Sequence, residues 1–214
     1  MIIKKYGIEL HRLTHADIEL VRQMRNKDSV REKMFFQGNI TPEMQEEWFQ
    51  SIDNRYNYYF LIINKGQKIG LINGKNIDFE KRITECGIFI WEEKYWNSGV
   101  AFQAAMCIIE FGFEFFSMKK LFSKVKEDNP IAVKFNQGLG YRKCTPYNGN
   151  NYVLTKEEYY SKAYHIRDLI IKRNGGTDRL TIHDFTFTNF QQTLHLYQGL
   201  PKDIKEKFKD KIAV

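Results

Sequence analysis

Cysteine is scarce: the 214 residues hold three, Cys86, Cys107 and Cys144. The count is odd and no pair has CxxC spacing, which argues against a disulfide framework and against a zinc site. Cys86 and Cys107 lie in apolar segments and are expected to be inert core thiols. No run of eighteen or more apolar residues occurs, so no membrane span is expected. The start, Met1-Ile2-Ile3-Lys4-Lys5, has no long apolar stretch and is not read as a signal peptide; the expected location is the cytoplasm. Five consecutive basic residues occur nowhere, so the net charge of +7 suits an anionic small ligand better than a polyanion groove. His11, His15, His165, His183 and His195 are scattered without metal-site spacing, and no metal is expected.

What is present is ample apolar material. Hydrophobic residues make up 43% and aromatics 15%, enough for a full core without covalent staples. The length suits one domain with an appendage. The most informative stretch is residues 85–117. Residues 85–91 read as a short buried strand. Ala101, Ala104, Ala105, Ile108, Ile109, Gly112 and Phe116 then share one helical face. Between them, Ser98 and Gly99 form a turn into the helix, which leaves backbone N–H groups unpaired at its start. Those donors and the helix dipole favour a phosphate or diphosphate.

Around this centre the chain alternates. Residues 7–13 read as a strand. Thr14 with Asp17 caps a helix to Asn26 on the stripe Ile18, Val21 and Met24 or Arg25. A short helix over 29–34 follows Asp28. Thr41-Pro42-Glu43 opens a helix to about Ile52, burying Met44, Trp48 and Ile52. Residues 58–64 and 68–74 form a hairpin over Lys65-Gly66-Gln67. Residues 121–126 must run parallel to 85–91 if the crossover is ordinary. Asn129-Pro130 starts a helix to about Gln137. Residues 141–145 and 152–155 pair across Asn148-Gly149. Thr155 caps one long helix to about 172–173. Beyond it, 180–187 reads as a strand, and 189–197 and 201–212 as helices.

The order β-α-α-β-β-β-α-β-α-β, the loop Tyr95-Trp96-Asn97-Ser98-Gly99-Val100-Ala101 and the later Asn129 with Leu139-Gly140-Tyr141 together resemble the GNAT superfamily of acetyl-CoA-dependent N-acetyltransferases. The resemblance implies an α/β (α+β) fold: a mixed, mostly antiparallel sheet flanked by helices over 1–155. Residues 156–214 are then a helical or mixed extension of unassigned role. It implies acetyl-CoA as co-substrate and direct acetyl transfer to a primary amine. In the family, the loop after the fourth strand holds the diphosphate through a Gln/Arg-x-x-Gly-x-Gly/Ala pattern. Gly99 and Ala101 match it; Trp96 replaces the Gln/Arg, and Asn97 stands where a further Gly is common. Trp96, Asn97, Ser98, Gly99, Val100 and Ala101 are thus the implied diphosphate loop. The backbone of Ile88, Phe89, Ile90 and Trp91 is implied to bind pantetheine and the oxyanion. Asn129 matches an Asn beside the cofactor and is carried as both a cofactor and a catalytic residue. Asn136, also placed at the cofactor, occupies the position of a Tyr thought to protonate the thiolate, and Ala132 that of a common Ser.

A carboxylate must take the amine's proton, directly or through water. Glu85 is the leading candidate, with Glu47, Glu92 and Asp78 behind it. Met24-Arg25-Asn26, Val30-Arg31, Met34 and Trp48-Phe49 are similar to the branch that acetylates 4-amino sugars on nucleotide carriers, although Gln45 replaces a frequent His. Arg25, Arg31 and Trp48 are then substrate-binding, the two arginines donating to an acceptor phosphate. Their alternative role is as core positions and a solvated face. Two further readings stay open: an acetyltransferase for protein N-termini of the ribosomal-protein type, and a non-catalytic CoA-binding module. The expected partners are a small, anionic amine acceptor and a second copy of the chain; neither nucleic acid nor membrane is expected.

Overall fold

In a computed structural model, residues 1–96, 98–187, 194 and 197–209 are described. Asn97, His195, most of the helix expected over 189–197 and the end of that over 201–212 lie outside the described residues. The strands are β1 (Ile2–Lys5), β2 (Ile8–Arg12), β3 (Tyr58–Asn64), β4 (Gln67–Asp78), β5 (Ile83–Ile90), β6 (Lys120–Ser123), β7 (Arg142–Tyr147), β8 (Asn150–Leu154) and β9 (Phe185–Thr186). The helices are α1 (Ile18–Asn26), α2 (Asp28–Arg31), α3 (Pro42–Ile52), α4 (Val100–Glu110), α5 (Pro130–Gly138), α6 (Lys156–Lys162), α7 (Tyr164–Asn174) and α8 (Lys202–Phe208).

The strands form one sheet in the order β7-β8-β6-β5-β4-β3-β2-β1-β9. Among the described residues only β5–β6 is parallel; the other neighbours are antiparallel. The mixed, mostly antiparallel sheet flanked by helices is therefore present. The hairpin turns Lys65-Gly66 and Asn148-Gly149 have positive φ at both residues, the backbone that matches strand twist. A third such turn, Tyr6-Gly7, was not expected: it makes β1 a separate strand ahead of β2.

Four of the caps fall where the sequence puts them, while Asp28 is the first residue of α2 and not its cap. The Asp17 carboxylate accepts from Thr14 N and Oγ1. Thr41 Oγ1 accepts from Met44 N, Asn129 Oδ1 from Ala132 N, and Thr155 Oγ1 from Glu158 N. Three details differ. Helix α3 buries Gln45, Phe49 and Ile52, while Met44 is exposed and Trp48 half-buried. One polar residue in the 45-49-52 stripe hides its phase. The long helix after Thr155 breaks at Ala163 into α6 and α7. Helix α4 buries Met106, Cys107 and Glu110 as well as its expected face, and it ends in a wide turn over Phe111–Phe115.

That all-round burial comes from the chain after Thr155. Tyr159, Leu180, Phe185, Ile204 and Phe208 enter the same core as α4, and β9 pairs with β1. At its centre the buried Glu110 carboxylate accepts from Tyr6 OH at 2.8 Å, Tyr159 OH at 2.9 Å and Leu180 N at 2.7 Å, with Arg167 Nη2 at 3.5 Å. Burial raises its pKa and the surrounding donors oppose that rise. A second, smaller core on the other sheet face packs Leu13, Val21, Phe49, Tyr59, Leu61 and Trp91 beneath α1 and α3. Removing the Glu110 carboxylate strands an arginine, two phenols and an amide in the interior. Glu110→Ala is therefore expected to lose about 3–5 kcal/mol in urea denaturation; a loss below about 1 kcal/mol would show the network to be incidental.

Candidate active site

The parallel pair holds for three residue pairs, Ile83↔Lys120, Thr84↔Leu121 and Glu85↔Phe122. Beyond Glu85 the two strands part, while β5 stays paired with β4 as far as Gly70↔Ile90. Trp91 N donates to Ile69 O at 3.0 Å. Backbone groups alternate sides along a strand, so the Cys86 N–H is spent on β6 in the last parallel rung and those of Ile88 and Ile90 face the gap. Those of Phe89 and Trp91 face β4. Of the four residues implied for pantetheine, Ile88 and Ile90 thus offer free donors, and Phe89 and Trp91 do not. The Phe89 and Trp91 side chains lie on the opposite face, beneath α1 and α3.

The gap opens into a cleft of about 560 Å³, its open mouth included, between β5, β6, α4 and α5. Cys86, Gly87 and Ile88 line one wall, Ser123, Lys124 and Val125 the other, with Ala132, Phe135 and Asn136 behind. Cys86 is no nucleophile: burial pushes its thiol up to about 12, against a hydrogen bond from Tyr141 that lowers it. Asn136 Nδ2 is committed to Ala132 O at 2.9 Å. Asn129 caps α5 beside the cleft.

At the head of α4, Gly99 has φ +83° and no described side chain caps the helix. The nearest is Ser98 Oγ, 3.5 Å from Val100 N. The donors of the first turn, at Val100 and Ala101, are therefore open to an anion. Trp96 offers nothing polar: its indole N–H donates to Ile90 O at 2.9 Å, and Lys33 Nζ stands 3.1 Å from its ring centre. Open amides at a helix start, open amides along a split strand and an apolar cleft between them fit a long thioester with a diphosphate.

On the other sheet face, Glu85 binds Lys75 Nζ at 2.9 Å, with Asn76 Nδ2 at 3.3 Å and Asn150 Nδ2 at 3.4 Å. Trp48 packs edge-on to Tyr59 at 5.2 Å, and the Tyr59 phenol is pushed up to about 12 by burial and by the Glu85 charge. Arg25 lies 5.9 Å from the Phe89 ring centre and donates to Phe36 O; burial lowers its pKa. Arg31 is turned to Asp28 on its own helix. Arg25, Trp48 and Glu85 therefore share the face, and Arg31 does not join them through any described contact. Lys124, which was not anticipated, lines the cleft 4.4 Å from the Phe35 ring centre, and Lys33, also not anticipated, stands over Trp96. Single lysines among 33 basic residues gave no signal.

Among the described residues, a sheet split beyond its parallel pair, beside an uncapped helix start, fits a site for an acyl carrier. Residues 8–142 match the family description "Acetyltransferase (GNAT) domain". The chain belongs to the GNAT acetyltransferase family. It is 26% identical over 137 residues to spermidine N(1)-acetyltransferase of Escherichia coli K12, covering 64% of this chain and 73% of that protein. Its fold is similar to that of Vibrio cholerae spermidine N-acetyltransferase in complex with CoA and spermine, with TM-score 0.63, 18% identity, 73% of this chain and 100% of that one. It is also similar to a domain from Methanocaldococcus jannaschii, with TM-score 0.61, 19% identity, 69% and 97%. The protein is an N-acetyltransferase and acetyl-CoA is its co-substrate. A non-catalytic module is thereby set aside.

A side chain at residue 99 would meet no atom within 4 Å, so any penalty there is one of backbone alone. Gly99→Ala should lower stability by about 1 kcal/mol, read as a shifted urea midpoint, while Gly99→Asn is better tolerated.

Proposed function

We propose that the enzyme acetylates a primary amine on a small molecule that also carries an anionic group, the leading case being an amino sugar on a nucleotide carrier. One observation supports this above others. Lys124 lines the cleft, Lys33 covers the Trp96 ring and Arg25 lies against Phe89 on the opposite face, and none of the three has a salt-bridge partner among the described residues. Cations held on aromatic rings and not in salt bridges favour an anionic guest and repel a polycation. The names of the relatives favour a second reading, a polyamine acceptor. A protein N-terminus is the third.

In this proposal the open amides at Val100 and Ala101 bind the diphosphate, with Gly99 setting the turn. The N–H groups of Ile88 and Ile90 hold the pantetheine arm and the acetyl oxygen, where fixed dipoles favour developing negative charge. Acetyl-CoA supplies the thioester carbonyl that the amine attacks. Glu85 takes the amine's proton, directly or through a water. Asn136 cannot act as an acid. A thiol with a pKa near about 8.5 leaves as thiolate without much help at neutral pH. The reading keeps the enzyme in the cytoplasm and allows a homodimer; fractionation and light scattering address both.

Thiol release can be followed with a nucleotide-linked 4-amino sugar, spermidine and an alanine-initiated peptide. The amino sugar should lead in kcat/KM, and a lead by spermidine overturns the anionic reading. With the best amine, Glu85→Gln should cut kcat about a hundredfold; unchanged turnover across mildly acidic to basic pH rejects the assignment. Arg25→Glu should raise the acceptor's KM about tenfold and leave that of acetyl-CoA alone. Equal damage to both would make Arg25 structural.

A further inference from the structure

Two buried carboxamide oxygens, Asn73 Oδ1 and Asn150 Oδ1, have no hydrogen-bond partner among the described residues. An orphaned buried acceptor costs about 1–3 kcal/mol, and folded proteins rarely keep one without a use. Both residues flank Glu85. Asn150 opens β8, is 4% exposed, and points Nδ2 at Glu85 Oε2, 3.4 Å away. Reversing that amide would set oxygen against carboxylate oxygen, so the contact fixes which atom is orphaned.

Asn73 pairs across the sheet with Gly87. A β-carbon at residue 87 would stand 3.3 Å from Asn73 Nδ2 and 3.4 Å from Oδ1. The carboxamide therefore fills the space that the missing side chain leaves. It lies one diagonal from Glu85, about 7 Å away, on the same face, where β5 leaves β6.

We infer that Asn73, Asn150 and Glu85 together seat the primary amino group of the acceptor. An ammonium has three N–H donors, and this seat presents two carbonyl oxygens and a carboxylate. One proton passes from the nitrogen to Glu85. The two remaining N–H groups bond the Asn73 and Asn150 oxygens, which leaves the lone pair free to attack. The C–N bond then forms as the C–S bond breaks, and the second proton that the nitrogen sheds on becoming an amide passes to the departing thiolate. Lys75 holds the other Glu85 oxygen and keeps the carboxylate in place. The seat deepens the acceptor proposal by naming what recognises the amine, and it serves whichever molecule carries that amine.

Methylammonium is a sufficient probe. Added to the full chain saturated with coenzyme A, it should shift the Asn73 and Asn150 side-chain amide resonances in nitrogen-15 NMR, and tetramethylammonium, which has no N–H, should not. Asn150→Ala and Asn73→Ala should each raise the KM of the fastest amine about tenfold, with the KM of acetyl-CoA and the melting temperature unchanged. No shift with methylammonium, an equal shift with both ions, or an unchanged amine KM in both variants overturns the inference. So does a rise in both KM values together, which marks a structural role. If no amine of the panel turns over, the acceptor proposal fails and the NMR comparison still decides this one.

Discussion

The parting of β5 from β6 is the constraint on which the site depends. A parallel pair three residues long is unusual in a sheet that is otherwise paired across, and something must stop it from closing. The chain just after β6 is held elsewhere. Asn151 Oδ1 accepts from Val125 N at 2.9 Å, and Asn151 Nδ2 donates to Val125 O at 2.8 Å. These two bonds hold Val125 to β8, on the side away from β5, and draw the end of the strand off it. The far half of β5 keeps its bonds to β4. Each strand is thus satisfied on its outer side, and the gap between them keeps polar backbone that neither needs for stability.

One strand then serves two chambers because side chains alternate along it. Cys86, Ile88 and Ile90 face α4 and α5, where the cleft is apolar. Glu85, Gly87 and Phe89 face α1 and α3, where charge and carboxamides gather. A reacting pair can meet through the gap without sharing an entrance. Gly87 is the hinge of this division, since a larger residue there would displace Asn73 from the face. Lys75 explains how a carboxylate is kept on that face at little electrostatic cost.

What was legible in the sequence was local. The caps at Thr14, Thr41, Asn129 and Thr155 and the turns at Lys65-Gly66 and Asn148-Gly149 each announce themselves within four residues, and their order gave the fold. The Tyr6-Gly7 turn is not legible because Ile2-Ile3-Lys4-Lys5 shows no alternation, so the first strand reads as starting at Gly7. Helix α3 was read out of phase because Gln45 occupies a buried position. The directions of the N–H groups at Phe89 and Trp91 follow from register with β4, which no local pattern carries. Asn73 and Asn150 are seventy-seven positions apart in the numbering and become neighbours of Glu85 only through the sheet. Glu110 looked like one polar residue on an apolar helix; its partners come from residues 6, 159, 167 and 180.

Those distant partners explain what the chain after Thr155 does for α4. Acetyl transfer from a bound carrier needs the helix start and the strand amides held at fixed separation, because small misplacements are costly to rate. Helix α4 is tied at both ends. Near its start, Gln103 Nε2 donates to Tyr6 O at 2.7 Å and lies 3.4 Å from Asn174 Oδ1 on α7. At its end, Glu110 gathers Tyr6, Tyr159, Arg167 and the Leu180 amide. Tyr6 belongs to both ties, so the β1–β2 turn and the C-terminal segment grip the helix jointly. The first turn of α4 is left uncapped at Gly99, and the rigidity it lacks locally is supplied from one and three turns further along.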